Sequence, residues 1–235
     1  MEGEHDMSME LTAEKLAKMI DHTYLKAFGV REDFEKLCAE AKENNFATAM
    51  VNSCQVSLCR ELLKGSDVKT ASVVAFPLGQ MTVEMKLCEA EKAIEDGASE
   101  IDYVLNIGEL KMGNRDYIKD EMERMVSLCH GKGALVKVII ETCYLTKDEI
   151  KAASEIAREV CPDFIKTSTG FGTGGAVIED VKLMKDTVGD KVKVKASGGI
   201  RNWESCKAMI EAGAERIGTS NGADILKGFK ESMEK

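Results

Sequence analysis

Three side chains have the types that amine chemistry requires: Lys166 in DFIKTSTG, Lys195 in VKVKASGG and Asp102 in EIDYV. Each interrupts a short apolar or β-branched run of the kind that is buried when it forms a strand. A buried ammonium either gains a counter-charge or loses its proton. A second cation beside it, together with partial desolvation, lowers its pKa and leaves free amine near neutral pH, the form that attacks a carbonyl carbon. The ordinary alternative is a strand lysine paired with an inward carboxylate or reaching out to solvent. Lys137 and Lys193 are strand lysines too, earlier in their runs, and pattern alone leaves them open. Asp102 reads as a core counter-ion, a proton relay, or both at once. Asp21, in KMIDHTYL, allows the same readings, while His22 reads as structural rather than catalytic.

Glycine supplies the second kind of chemistry. ASGGIR contributes Gly198 and Gly199, and RIGTSNG contributes Gly218, Thr219 and Ser220, each just before a helical segment. Small residues let backbone N–H groups approach an anion, and a helix N-terminus adds its dipole. Two ordinary tight turns would look the same. TGFGTGG, with Thr169 and Gly170, reads as a third wall of such a site or as a mobile lid. Together these residues describe a phosphorylated carbonyl substrate, a lysine that forms an imine, a second lysine that tunes it and a carboxylate that moves protons. An iminium accepts the electrons of a breaking C–C bond, so this is aldolase chemistry without a metal.

The elements that must position these residues recur along the chain. Strand-like runs at 47–52, 71–77, 100–106, 135–142, 164–169, 192–199 and 215–220 each precede a segment of helical periodicity, and KMIDHTYL at 18–25 precedes another. Eight βα units predict a single-domain (β/α)₈ barrel with parallel strands, over residues 13–235, after a flexible tail at 1–12. The competing open sheet would carry GxGxxG after its first strand, and nothing like it follows Asp21. In a barrel the site lies at the C-terminal strand ends, where Asp21, Thr23, Asn52, Asp102, Asn106, Glu141, Thr142, Lys166, Thr169, Lys195, Ser197 and 218–220 all fall. The two glycine turns then follow strands seven and eight, where barrels bind phosphate.

Composition narrows the partners. The 235 residues carry a net charge of −9, so no global basic field draws the chain to nucleic acid or an anionic membrane. No apolar run is long enough to span a bilayer, and the acidic start, MEGEHDMSME, is unlike a secretory signal. Eight scattered cysteines, with no CxxC pair, read as reduced core thiols of a cytoplasmic protein, and three well-separated histidines offer no metal motif.

The ordered set IDHTYLK, FPLG followed by E-x-K, DGASEIDYVLNIG, KVIIET, DFIKTSTGF, VKASGGIR and RIGTS resembles the deoxyribose-phosphate aldolase family, class I aldolases on a TIM barrel, from Ile20 to Gly222. The resemblance implies that Lys166 forms the Schiff base, Lys195 lowers its pKa and Asp102 serves the proton relay. It also implies that Gly170, Gly198, Gly199, Gly218, Thr219 and Ser220 hold phosphate, and that Asp21 and Thr23 line the pocket. The implied reaction cleaves 2-deoxy-D-ribose 5-phosphate reversibly to acetaldehyde and D-glyceraldehyde 3-phosphate, without a cofactor, in a homodimer or homotetramer.

The chain departs from the family pattern at Ala27 and Ser53, where proline is common, and at Ala75, where glycine is usual. Phe171 stands where some members carry lysine, and ESMEK lacks a terminal tyrosine. Transaldolases and ketose-phosphate aldolases use the same lysine chemistry with a different donor, and a phosphosugar-binding barrel without turnover would keep the phosphate site alone.

Overall fold

A computed structural model describes residues 11–234. Eight strands close into one parallel barrel in chain order: β1 (Ile20–Thr23), β2 (Thr48–Asn52), β3 (Lys69–Val74), β4 (Glu100–Val104), β5 (Leu135–Ile139), β6 (Phe164–Lys166), β7 (Lys193–Ser197) and β8 (Arg216–Thr219). Pairing of Asp21 with Gly218 lies on the β1–β8 seam, and Lys166 is in register with Lys195 across β6 and β7. The predicted barrel is therefore the observed one. Of the expected tail at 1–12, residues 1–10 lie outside the described residues; Leu11 packs against the core and the Thr12 side chain caps the first helix.

The strands read as apolar runs because both of their faces are covered, one by the barrel interior and one by helices. Tyr103, Ile101, Val138, Ile165, Val194 and Ile217 are buried, and belong to the layer packed beneath the helices. Those helices are α1 (Ala13–Lys18), α2 (Arg31–Glu43), α3 (Val56–Leu62), α4 (Val83–Asp96), α5 (Ile107–Lys111), α6 (Arg115–Gly131), α7 (Lys147–Val160), α8 (Ile178–Val188), α9 (Trp203–Glu211) and α10 (Gly222–Met233). Local chemistry sets their ends. Thr146 and Glu149 form a reciprocal capping box at the start of α7, and α4 stops at Gly97, whose φ of 114° suits glycine. The short α5 was not legible from periodicity, because five residues are too few to show a helical repeat.

The cysteine expectation needs correction. Cys38, Cys59, Cys129 and Cys206 are buried core thiols, but Cys54, Cys88 and Cys161 are exposed and Cys143 is half-buried. An amphipathic helix that tolerates cysteine inside also tolerates it outside, and spacing does not separate the two. Among the described residues no helix is long and apolar enough to cross a membrane, and no group of His, Cys, Asp or Glu side chains is arranged to hold a metal ion.

Candidate active site

Alternation along a strand decides which side chains enter the barrel. On β1, Asp21 points inward and His22 outward, where it meets Glu40 at 2.8 Å and tilts against Phe46; burial, opposed by Glu40, lowers the His22 pKa. On β4 the period of two sends both Glu100 and Asp102 inward. Lys137, Lys166, Lys195 and Arg216 come in from β5 to β8, so seven ionisable groups from six strands share one interior.

Asp102 is the hub. Its Oδ1 accepts from Lys137 at 2.7 Å, and its Oδ2 accepts from Lys166 at 2.8 Å and from Lys195 at 2.7 Å. Burial alone would raise its pKa, but the three ammonium groups outweigh burial and hold the carboxyl well below its usual range. Asp21 is held down in the same way, by Lys195, Arg216 and Lys137. Lys166 moves in the opposite direction from an ordinary lysine: burial, reinforced by the charges of Lys195 and Lys137 and opposed by Asp102, lowers it to about 8. Lys137 goes the other way, because the attraction of Asp102, Glu100 and Asp21 exceeds its burial penalty and raises its pKa. That resolves the lysine which pattern left open: Lys137 is a paired counter-ion, and Lys166 is the lysine primed to lose its proton. Lys193, at the exposed start of β7, stacks over Phe164 at 5.7 Å.

Above this network lies a cavity of about 450 Å³, lined by Thr23, Lys166, Thr169, Gly170, Ser197, Gly198, Gly199, Gly218, Thr219 and Ser220 among others. Lys166 is the member of the charged network that reaches it. Two expected site residues sit elsewhere. Asp21 has no solvent exposure and accepts from Thr48 at 2.8 Å and from Arg216 at 2.6 Å, because a carboxylate on this strand is drawn down to the cations below. Asn52 donates to the Leu25 carbonyl at 3.4 Å and ties the end of β2 to the loop after β1, rather than lining the cavity.

Glycine shapes the rim. At Gly198, φ is 87°, and an added Cβ would come within 2.9 Å of Gly175 Cα, so the crossing of these loops requires glycine on steric grounds. At Gly218 a Cβ would lie 3.1 Å from Lys195 Cε, inside the space that the lysine occupies. Asn221, before α10, makes no side-chain cap, so the first-turn amides of that helix are not occupied by it. Lys26 and Arg201 bring positive side chains to the same cavity.

Sequence reasoning missed Arg216, Glu100 and the counter-ion role of Lys137. It also left Glu141 without a role: this residue, with φ 52°, accepts from the Thr169 backbone at 3.1 Å and from the Thr169 hydroxyl, fixing the loop that carries Gly170. The available signal was the repetition of charge at i and i+2, Glu100 with Asp102, inside a strand otherwise apolar.

A model of the DeoC/LacD family aldolases matches residues 15–228. A deoxyribose-phosphate aldolase of Lactobacillus acidophilus is 54% identical over 226 residues, covering 96% of this chain and 95% of its own. One from Thermococcus gammatolerans is 55% identical over 217 residues, covering 92% of this chain and 96% of its own. Among solved structures, the tetrameric deoxyribose phosphate aldolase from Aeropyrum pernix superposes with a TM-score of 0.84 at 34% identity, over 93% of this chain and 92% of that one.

Proposed function

Because the chain belongs to the DeoC/LacD aldolase family, we propose that it cleaves 2-deoxy-D-ribose 5-phosphate reversibly to acetaldehyde and D-glyceraldehyde 3-phosphate, through an imine on Lys166. The observation that carries the reading is the pair of amines from β6 and β7 on one Asp102 oxygen, with Lys166 the partner that faces the cavity.

The neutral Lys166 amine attacks the C1 aldehyde and water leaves, forming an iminium. The C3 hydroxyl loses its proton through a water to Asp102, the C2–C3 bond breaks, and its electron pair moves into the iminium to give a two-carbon enamine. Glyceraldehyde 3-phosphate departs. Protonation of the enamine at C2 and hydrolysis of the resulting imine release acetaldehyde and restore the amine. Asp102, although three lysines lower its pKa, is still a stronger base than water, so it relays the C3 hydroxyl proton through a water while anchoring Lys166 at 2.8 Å. Lys195 supplies the fixed positive charge that favours the neutral nucleophile.

The substrate phosphate lies against the backbone of Gly170, Gly198, Gly199 and Ser220, near the N-terminus of α10. Thr23 and Thr169 line the same space, Thr169 held by Glu141. Lys26 and Arg201 add the charge that Phe171 does not provide; its ring instead meets Phe76 edge-on at 5.3 Å. The protein works as a homo-oligomer, a reading supported by the tetrameric relative, and in the cytoplasm, a reading supported by its free cysteines.

A coupled assay that detects glyceraldehyde 3-phosphate released from the deoxy sugar phosphate tests the activity. Synthesis with acetaldehyde rather than dihydroxyacetone as donor separates it from a ketose-phosphate aldolase.

A further inference from the structure

Beneath the cavity the barrel interior holds a set of charges that do not line it. Asp21 comes from β1, Glu100 and Asp102 from β4, Lys137 from β5, Lys195 from β7 and Arg216 from β8, all buried or nearly so. β2 and β3 face them with Thr48, Met50, Ala71 and Val73, which carry no charge. Glu141, beyond β5, is engaged by Thr169, and Lys193 lies at the exposed start of β7.

The pairing is closed. Arg216 joins Asp21 at 2.6 Å to Glu100 at 2.9 Å; Lys137 joins Glu100 at 2.5 Å to Asp102 at 2.7 Å; Lys195 joins Asp102 at 2.7 Å to Asp21. Three carboxylates thus alternate with three cations around a ring, each cation bridging its two neighbours, and Lys137 also lies 3.7 Å from Asp21 across it. Lys166 is a fourth cation, bound to an Asp102 oxygen that Lys195 already holds. In a low-dielectric interior the cation in excess of the counter-charge is the one whose proton is least well held.

We infer that Arg216, at the floor of the barrel, is a positioning residue for the nucleophile. By neutralising Asp21 and Glu100 it leaves Lys166, among the described residues of this cluster, without a carboxylate of its own. Its influence passes through Asp21 to Lys195 and through Glu100 to Lys137 and Asp102. Arginine suits the post because its guanidinium stays charged and reaches two carboxylates in one plane, and here it also stacks 5.0 Å from the Phe164 ring. Removing that charge leaves three carboxylates for three lysines, and Lys166 becomes a necessary counter-ion. Removing the Glu100 charge instead enlarges the excess.

The inference rests on Lys166 being the imine lysine, and its test is the pH dependence of kcat/KM for deoxyribose 5-phosphate cleavage by the full chain. Arg216→Gln is expected to move the acid limb up by about one pH unit or more, and Glu100→Gln to move it down. Arg216→Lys keeps the wild-type limb, and Arg216→Gln combined with Glu100→Gln returns it there, because the double variant restores the balance. A purely structural role would lower activity in all four without moving the limb in opposite directions. Should Arg216→Gln fail to fold, Glu100→Gln and the double variant still read the charge count. Limbs that superimpose on the wild type, or shift in one common direction, overturn the inference alone; a wild-type chain without turnover overturns the functional reading with it.

Discussion

Lys166 and Lys195, in register on adjacent strands, donate to the same Asp102 oxygen at 2.8 and 2.7 Å. Two amines on one carboxylate oxygen cannot both be fully compensated; Lys195 also holds Asp21, whereas burial and the neighbouring ammonium groups, opposed by Asp102, lower the pKa of Lys166. The nucleophile's reactivity is therefore a property of the pair.

This fixes the pH behaviour. Lys166 is lowered to about 8, so kcat/KM is expected to fall roughly tenfold for each pH unit below that value and to level off above it until other groups titrate. A rate profile between pH 6 and pH 10 measures it. An acid limb near the ordinary lysine range would show that the site does not depress this amine.

Lys195→Met removes a positive charge beside Lys166. Positive charge disfavours the protonated amine, so its loss raises the Lys166 pKa and the acid limb moves to higher pH. At pH 7 kcat/KM should fall by about two orders of magnitude or more, while circular dichroism reports a folded barrel. An unmoved limb would assign Lys195 to structure alone.

Gly198→Ala should act on the substrate end of the cavity. Its φ of 87° disfavours a side chain, and the new Cβ would stand 2.9 Å from Gly175 Cα. A backbone strain of about 1–2 kcal/mol displaces the loop bearing the phosphate contacts. KM for the phosphorylated sugar is expected to rise about tenfold, with a smaller change in turnover of unphosphorylated 2-deoxyribose. Equal losses on both substrates would contradict the assignment of this loop to phosphate.

Stability has a different weak point. Lys86 of α4 and Glu121 of α6 form an ion pair with no solvent exposure; Lys86 also donates to the Val104 carbonyl at 2.8 Å, and Glu121 accepts from the Asn106 amide at 3.1 Å. The pair holds the chain where it leaves β4, two residues beyond Asp102. Lys86→Ala strands a buried carboxylate and is expected to cost about 3–5 kcal/mol in urea unfolding, whereas Lys86→Met combined with Glu121→Leu should recover most of the loss. A loss below about 1 kcal/mol, the range of exposed pairs, would mean that water reaches the carboxylate.

What was legible in the sequence, and what was not, follows from which contacts are local. Eight βα repeats are local patterns, so the barrel could be read from them, and polar residues late in each strand marked Lys166, Lys195 and Asp102. The partners of those residues could not be read. Arg216 meets Glu100 and Asp21 across 116 and 195 residues of chain, because closing a barrel makes β1 and β8 neighbours and faces β4 to β8 across its interior, and no spacing in the sequence reports that. For the same reason Lys137 could not be excluded by pattern until its carboxylates were in place, and Asp21 stayed open between counter-ion and relay, with the family resemblance placing it at the pocket, where the structure has it as a buried counter-ion. The exposed Cys54, Cys88 and Cys161 escaped because they lie in a short turn after β2, on α4 and at the end of α7, and one residue type does not tell an exposed position from a buried one.

The central claim is that Lys166 forms the covalent intermediate, and reductive trapping tests it most directly. The protein is treated with borohydride in the presence of 2-deoxy-D-ribose 5-phosphate, digested, and the modified peptide read by mass spectrometry. The expected result is substrate-dependent inactivation with the adduct on Lys166, absent from Lys166→Ala. An adduct on Lys137, Lys193 or Lys195 in the wild type, or undiminished trapping in Lys166→Ala, would contradict the account.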